Sequence, residues 1–239
     1  LNKIKDRYNE IIKGLKLDLS LDDEFAKIEN QFKAKAGSDY AASRGEYLNG
    51  IIMANYLGYE FIDAATVIFF NSKGEFDADT TQEILSAKLA KVERAVIPGF
   101  YGARPDGIVK TFSRGGSDIT GSIVARAAKA DVYENWTDVS GFLMADPKIV
   151  KDPLPIERIT YGELRELSYI GAQVLHEGTI FPVREKNIPL NIRNTNAPED
   201  PGTMIRESFD TDADPNLFIT GITGKKDFTI ISLSKRGLS

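Results

Sequence analysis

Between Phe112 and Gly121 the chain reads FSRGGSDITG, which sets one arginine, two adjacent glycines, a hydroxyl and a carboxylate at the mouth of an apolar helix. Residues without a β-carbon let backbone N–H groups approach a ligand, and the positive end of a helix favours an anion. Arg114 adds a planar fork that can hold a carboxylate or phosphate through two parallel hydrogen bonds. Ser117 or Asp118 is expected to cap the helix. Gly115-Gly116 alone would be an ordinary turn beside a surface arginine; the addition of Arg114, Ser117 and Asp118 points the loop toward an anion.

Two further groups could join it. Ser43-Arg44-Gly45-Glu46 falls within a stretch of helical spacing, where glycine costs about 1 kcal/mol relative to alanine. The glycine therefore suggests close approach by another backbone or by a ligand. Glu46 is then either an inward carboxylate accepting from an ammonium group or a solvated helix glutamate beside a packing glycine. Thr137-Asp138, with Gly141 behind and Asp146-Pro147-Lys148 after, suits a nucleotide, with hydroxyl and carboxylate for ribose or base and Lys148 for phosphate. An Asx turn ending a strand would use the same residues. His176, on an apolar helix, reads as a partly buried histidine rather than a catalytic base. The phosphate loop GxxxxGK[ST] is absent, as are the protein-kinase glycine loop and its HRD and DFG partners.

Those residues need an α/β frame. Apolar spacing predicts helices near residues 4–12, 21–32 and 40–57, the last stopping at Gly58. EFIDAATVIFF, from Glu60, predicts one or two strands and a turn; 80–91 predicts a helix and RAVIPGF, from Arg94, a buried strand interrupted by Pro-Gly. A Gly/Pro-rich loop over 99–107 leads to the glycine pair, a helix over 117–130 and a strand over 131–136. Strand, glycine turn, helix and strand form a βαβ unit, whose right-handed crossover implies a parallel sheet with ligands at the carboxyl ends of its strands. Helices over 161–168 and 172–184 and a strand over 189–193 continue the alternation, giving a three-layer α/β/α sandwich. Pro/Asp-rich stretches at 194–203 and 210–216 read as loop and linker.

Composition narrows the chemistry. The 239 residues are 42% hydrophobic, enough for a large core, and 30 basic against 35 acidic side chains give a net charge of -5 without a Lys/Arg-rich run for nucleic acid or a polybasic membrane contact. Without cysteine there are no disulfides, thiolate metal sites or cysteine nucleophiles, and one histidine leaves no His cluster. No apolar run approaches the roughly 18 residues of a membrane span. The amphipathic opening LNKIKDRYNE does not read as a signal peptide, and the expected location is the cytoplasm.

Taken together, SRGE at Ser43, FSRGGSDITG at Phe112, WTDVSG at Trp136, ADP at Ala145, ELSYIGAQVLHEGTIFPV at Glu166 and IRNT with the later PGT resemble the aspartokinase branch of the amino-acid kinase family, in order over 40–205. The resemblance implies transfer of the γ-phosphoryl of Mg-ATP to the β-carboxylate of L-aspartate, with ATP and Mg2+ as cofactors. It gives Arg114 the α-carboxylate of aspartate and Glu46 its ammonium, with Ser43, Gly115 and Gly116 around the substrate. Ser117 and Asp118 would order the reacting end and its cations. Thr137, Asp138 and Lys148 would meet ATP, with Leu143, Gln173 and Val174 on the adenine side. Leu143 and Gln173 depart from the family's usual tyrosine and lysine. The given sequence opens without the family's Lys-Phe-Gly-Gly strand, and both ends read as cut from something longer. A catalytic domain over 1–208, a linker over 209–217 and the start of an ACT regulatory domain over 218–239 follow, with lysine or threonine as regulator and a homodimer or larger homo-oligomer as the assembly. The alternatives are a non-catalytic amino-acid-sensing subunit of the same fold and a sister kinase such as glutamate kinase.

Overall fold

In a computed structural model that describes residues 1–170, 177–209 and 219–224, the chain divides into two units. One comprises Leu1–Asn135 with Gly178–Leu190, the other Trp136–Glu177 with Asn191–Ser239. The first opens with α1 (Asn2–Gly14), α2 (Asp22–Lys33) and α3 (Ser38–Leu57). Ile12, Leu21, Phe25, Ile28, Leu48 and Ile52 recur at helical spacing and close into one apolar cluster, each buried side chain contributing on the order of 1.5–3 kcal/mol. α3 stops at Gly58, which takes the left-handed conformation (φ 68°) that a helix end favours.

The segment after α3 holds one strand, β1 (Glu60–Phe61), and a turn, with isolated β-bridges at Phe69 and Phe70 in place of a second strand. Asp63 then accepts a hydrogen bond from the Ala65 amide at 3.0 Å and caps a 3-10 turn, Ala64–Thr66, so a polar side chain breaks an otherwise strand-like run. α4 (Ala78–Leu89) starts where Asp77 accepts from the Thr80 amide. β2 (Ala95–Val96) pairs in parallel with β1 and ends before Pro98, which has no N–H to extend a ladder. The region 99–107, read as loop, contains β3 (Tyr101–Ala103), which turns through Gly107 into the antiparallel β4 (Val109–Thr111). β4 feeds the glycine pair and α5 (Gly116–Ala128), and β5 (Tyr133–Thr137) follows. Ile62, Ile68, Phe70, Leu85, Tyr101 and Ile123 form the second core cluster beneath them.

In the second unit, β6 (Phe142–Leu143) and β7 (Pro155–Ile156) make an antiparallel hairpin, and β8 (Arg158–Thr160) leads into α6 (Tyr161–Ile170). β9 (Leu190–Asn194), which follows α7 (Glu177–Glu185) of the first unit, precedes β10 (Thr203–Arg206), which pairs in parallel with β8. The strand order is β5-β9-β10-β8. The α/β plan thus holds, with parallel pairing in β1–β2 and β8–β10 and short antiparallel hairpins that the sequence did not announce. Residues 210–218, the site of the expected linker, lie outside the described residues, as does most of the expected ACT strand; 219–224 has no regular structure. No helix among the described residues is long and apolar enough to cross a membrane.

Thr203 binds the second unit together at one atom. Its fully buried hydroxyl accepts from the Phe142 amide at 2.8 Å and donates to the Ile156 carbonyl at 2.5 Å. Thr203→Val keeps the shape and removes both of these bonds, a loss of about 1–3 kcal/mol. Chemical denaturation should show that loss, whereas Thr203→Ser, which keeps the hydroxyl, should retain most of the stability.

Candidate functional site

Helix α3 carries the first motif. Ser43 is fully buried; its hydroxyl donates to the Tyr40 carbonyl at 2.8 Å and accepts from Arg44 Nε and Nη2 at 3.2 and 3.0 Å. That hydroxyl has no capacity left for a substrate, so Ser43 acts here as a framework residue. The Arg44 guanidinium lies 4.5 and 4.4 Å from the ring centres of Tyr40 and Tyr47 and 5.4 Å from that of Tyr101. Tyr47 donates to Glu24 and Tyr101 to Asp63, each at 2.7 Å. Burial would raise the Glu24 carboxyl, yet hydrogen bonds from Lys27 and Tyr47 and the Arg44 charge hold it below its ordinary range. Sequence reading passed over this cage, although Tyr40, Arg44 and Tyr47, at i, i+4 and i+7, share one helix face.

One turn on, Glu46 is exposed and makes no side-chain hydrogen bond or ion pair among the described residues. Gly45 is not there for a neighbouring backbone, because a β-carbon on it would meet nothing within 4 Å. The space beside Glu46 is open.

The second motif sits at the mouth of α5. Contrary to expectation, neither Ser117 nor Asp118 caps the helix; the cap is Gly115 in the left-handed conformation (φ 55°), with no side-chain bond. Gly116 packs on Phe100, where a β-carbon would lie 2.6 Å from the Phe100 β-carbon and 2.9 Å from its Cα. The N–H groups of Gly116, Ser117 and Asp118 therefore have no acceptor among the described residues. Arg114 is exposed beside them, with no hydrogen bond or ion pair among the described residues. Its free guanidinium and three free amides form a cationic mouth suited to an anion. Ser117, with Gly99, Thr120 and Gly121, also lines a cavity of about 470 Å³.

Asp118 is held from β5. Its Oδ1 accepts from Asn135 Nδ2 at 2.9 Å, and the same Nδ2 lies 3.1 Å from the Tyr133 hydroxyl. Burial, the largest influence, pushes the Tyr133 phenol up to about 12, so it stays a neutral donor, reaching the Asp118 carbonyl at 3.3 Å. Asn135 went unnoticed in the sequence because nothing in its spacing links it to Asp118.

In the second unit, Thr137 ends β5, and its carbonyl accepts from the Thr195 amide and hydroxyl at 2.8 and 2.9 Å. Its own hydroxyl reaches Asp138 at 3.3 Å, and Asp138 is exposed. Leu143 on β6 and Lys148 are exposed too, while Asp146 accepts from the Lys148 amide at 2.8 Å in an Asx turn. Gln173, Val174 and His176 lie outside the described residues. Among the described residues no group of three or more acidic or histidine side chains converges as a metal cage.

The model of the amino acid kinase family matches residues 2–194. Aspartokinase 3 of Bacillus subtilis is 34% identical over 97% of this chain and 54% of its own length. The chloroplastic aspartokinase 1 of Arabidopsis thaliana is 33% identical over 82% of this chain and 36% of its own. The crystal structure of Clostridium acetobutylicum aspartate kinase matches with a TM-score of 0.82 and 55% identity over 92% of this chain and 50% of that one. The structure of E. coli aspartokinase III in complex with aspartate and ADP has a TM-score of 0.70 at 23% identity, over 86% and 52%, a likeness of fold. The chain thus spans about half the length of the Bacillus and Clostridium proteins. By this match along most of its length, the chain belongs to the amino acid kinase family.

Proposed function

We propose that the protein is an aspartate kinase, transferring the γ-phosphoryl group of ATP to the β-carboxylate of L-aspartate. The observation that carries this reading is the mouth of α5, where Arg114 and three N–H groups, without partners among the described residues, stand side by side in the same unit as Glu46, which is exposed and likewise has no hydrogen bond or ion pair among the described residues. A free amino acid offers both complementary charges, an α-carboxylate for Arg114 and an ammonium for Glu46. Acetylated amino acids, carbamate and nucleotides lack that pair. The aspartokinases among the relatives support the same acceptor.

In the transfer, one β-carboxylate oxygen bonds to the γ-phosphorus as the bond from that phosphorus to the bridging oxygen breaks, and ADP leaves with the electron pair. A carboxylate is already ionised at neutral pH, so no base is required. What remains for the protein is orientation and charge neutralisation. Arg114 and Glu46 orient the amino acid, and the free amides of Gly116, Ser117 and Asp118 supply fixed donors for anionic oxygens. Asp118 fits the usual way a kinase holds magnesium, through one carboxylate plus phosphate oxygens, because Asn135 occupies Oδ1 and Oδ2 has no partner among the described residues. When bound, the ion would neutralise phosphate charge. Thr137, Asp138 and Lys148 are assigned to ATP, with Leu143, Gln173 and Val174 on its adenine side, on the strength of the motif resemblance. The same resemblance supports lysine or threonine as a regulator at an ACT segment, assembly as a homo-oligomer and a cytoplasmic location.

Trapping the product as a hydroxamate tests the reading: the intact protein should form it with ATP, magnesium and aspartate, and glutamate in the same panel separates the sister kinase. Arg114→Ala should lower kcat/KM for aspartate on the order of 100-fold, as removal of a charged donor does. An unchanged value would remove the assignment. Glu46→Gln should raise KM for aspartate on the order of 10-fold through loss of a charge-assisted hydrogen bond, with KM for ATP little altered in steady-state kinetics.

A further inference from the structure

Asp39 lies in the first turn of α3, where an acidic side chain ordinarily serves the N–H groups of its own helix. It does not cap that helix. Instead its carboxylate crosses to the end of β4: Oδ2 accepts from Lys110 Nζ at 3.0 Å and from the Thr111 amide at 3.4 Å, and Oδ1 accepts from the Thr111 hydroxyl at 3.1 Å. Burial would raise this carboxyl, but those bonds hold it below its ordinary range, so it remains an anion. The latch joins the two segments that carry the candidate substrate residues. From Asp39, Glu46 is seven residues along α3, on the same helix face and about 10 Å away. From Thr111, Arg114 is three residues on, a reach of at most about 10 Å. Two arms of similar length thus diverge from one carboxylate.

We propose that Asp39 is a positioning residue that fixes Glu46 relative to Arg114, and so sets the span over which the protein grips the ammonium and carboxylate of its amino-acid substrate. This rests on the aspartate kinase reading for its substrate, though the latch itself does not. The Asp39 and Lys110 side chains are 31% and 38% exposed, so the pair contributes little to stability, and its effect belongs in substrate binding.

The test compares Asp39→Ala, Asp39→Asn and Thr111→Val with the unaltered protein. Asp39→Ala should raise KM for aspartate roughly ten-fold, leave KM for ATP within about two-fold and barely move the thermal midpoint. Asp39→Asn, which keeps an acceptor for the Thr111 hydroxyl but loses the charge facing Lys110, should fall between. Thr111→Val removes the hydroxyl bond and leaves those from Lys110 and the Thr111 amide, so it should have a smaller effect in the same direction, and the double variant Asp39→Ala/Thr111→Val should be little worse than Asp39→Ala alone. An unchanged KM for aspartate, an equal rise in both KM values, or additive effects would overturn the proposal. Amide hydrogen exchange needs no substrate: it should quicken over 111–118 in Asp39→Ala and, less, in Thr111→Val, and unchanged exchange in Asp39→Ala also overturns the latch. An unaltered protein that forms no acyl phosphate would instead sink the kinase reading, while the exchange result still decides the latch.

Discussion

The mouth of α5 depends on a contact that only a residue without a β-carbon permits. Gly116 lies against Phe100, and Phe100 is fixed from both directions: its carbonyl accepts from the Phe112 amide at 2.9 Å, before the glycine pair, and its amide donates to Thr120 Oγ1 at 3.0 Å, after it. Thr120 in turn donates to the Gly116 carbonyl at 2.7 Å. The mouth of α5 is therefore clamped between strand and helix. Because Gly115 turns the chain by its own left-handed conformation, no side chain is needed as a cap. A Ser or Asp cap would have consumed one of the free N–H groups. The failure of the expected cap is thus what leaves the mouth available to a ligand.

Much of the frame was legible in the sequence because its signals are local. The apolar spacing of α1 to α3, the stop at Gly58 and the glycine turn into α5 depend on residues within a few positions of one another. The misreadings came where a distant partner decides. Asp63 breaks the strand-like run after α3, and its other bond comes from Tyr101, far along the chain. β3 was hidden in a Gly/Pro-rich stretch because Gly102 looks like a loop residue. It is in fact required where β3 passes the Ile68 carbonyl, to which the Ala103 amide donates a hydrogen bond at 2.9 Å.

The candidate site divides in the same way. Arg114, Gly115 and Gly116 could be found from type and spacing, since a cation and two glycines at a helix start have a physical meaning before any fold is known. Ser43 was drawn in by its place in the motif, yet its hydroxyl is fully used within the protein. Asn135 and Asp39 were invisible, because each acts only through a partner brought up by tertiary structure, Asp118 in one case and the end of β4 in the other.

Two arginines make the underlying distinction. Arg44 is 9% exposed, a charge whose burial would be costly if it were bare; three tyrosine rings and the Ser43 hydroxyl surround it, and the nearby Glu24 and Asp63 balance it through two of those tyrosines. That cation is engaged within the protein, by the three rings and the Ser43 hydroxyl. Arg114 has the same chemistry and none of those partners among the described residues. A guanidinium held at a helix mouth by a clamped backbone, with its hydrogen-bonding capacity unspent, is poised to bind an anion from outside. Residue type could not tell these two apart; the environment of each does. The buried arginine holds the frame, and the other, without a partner among the described residues, is where an anion's charge can be met.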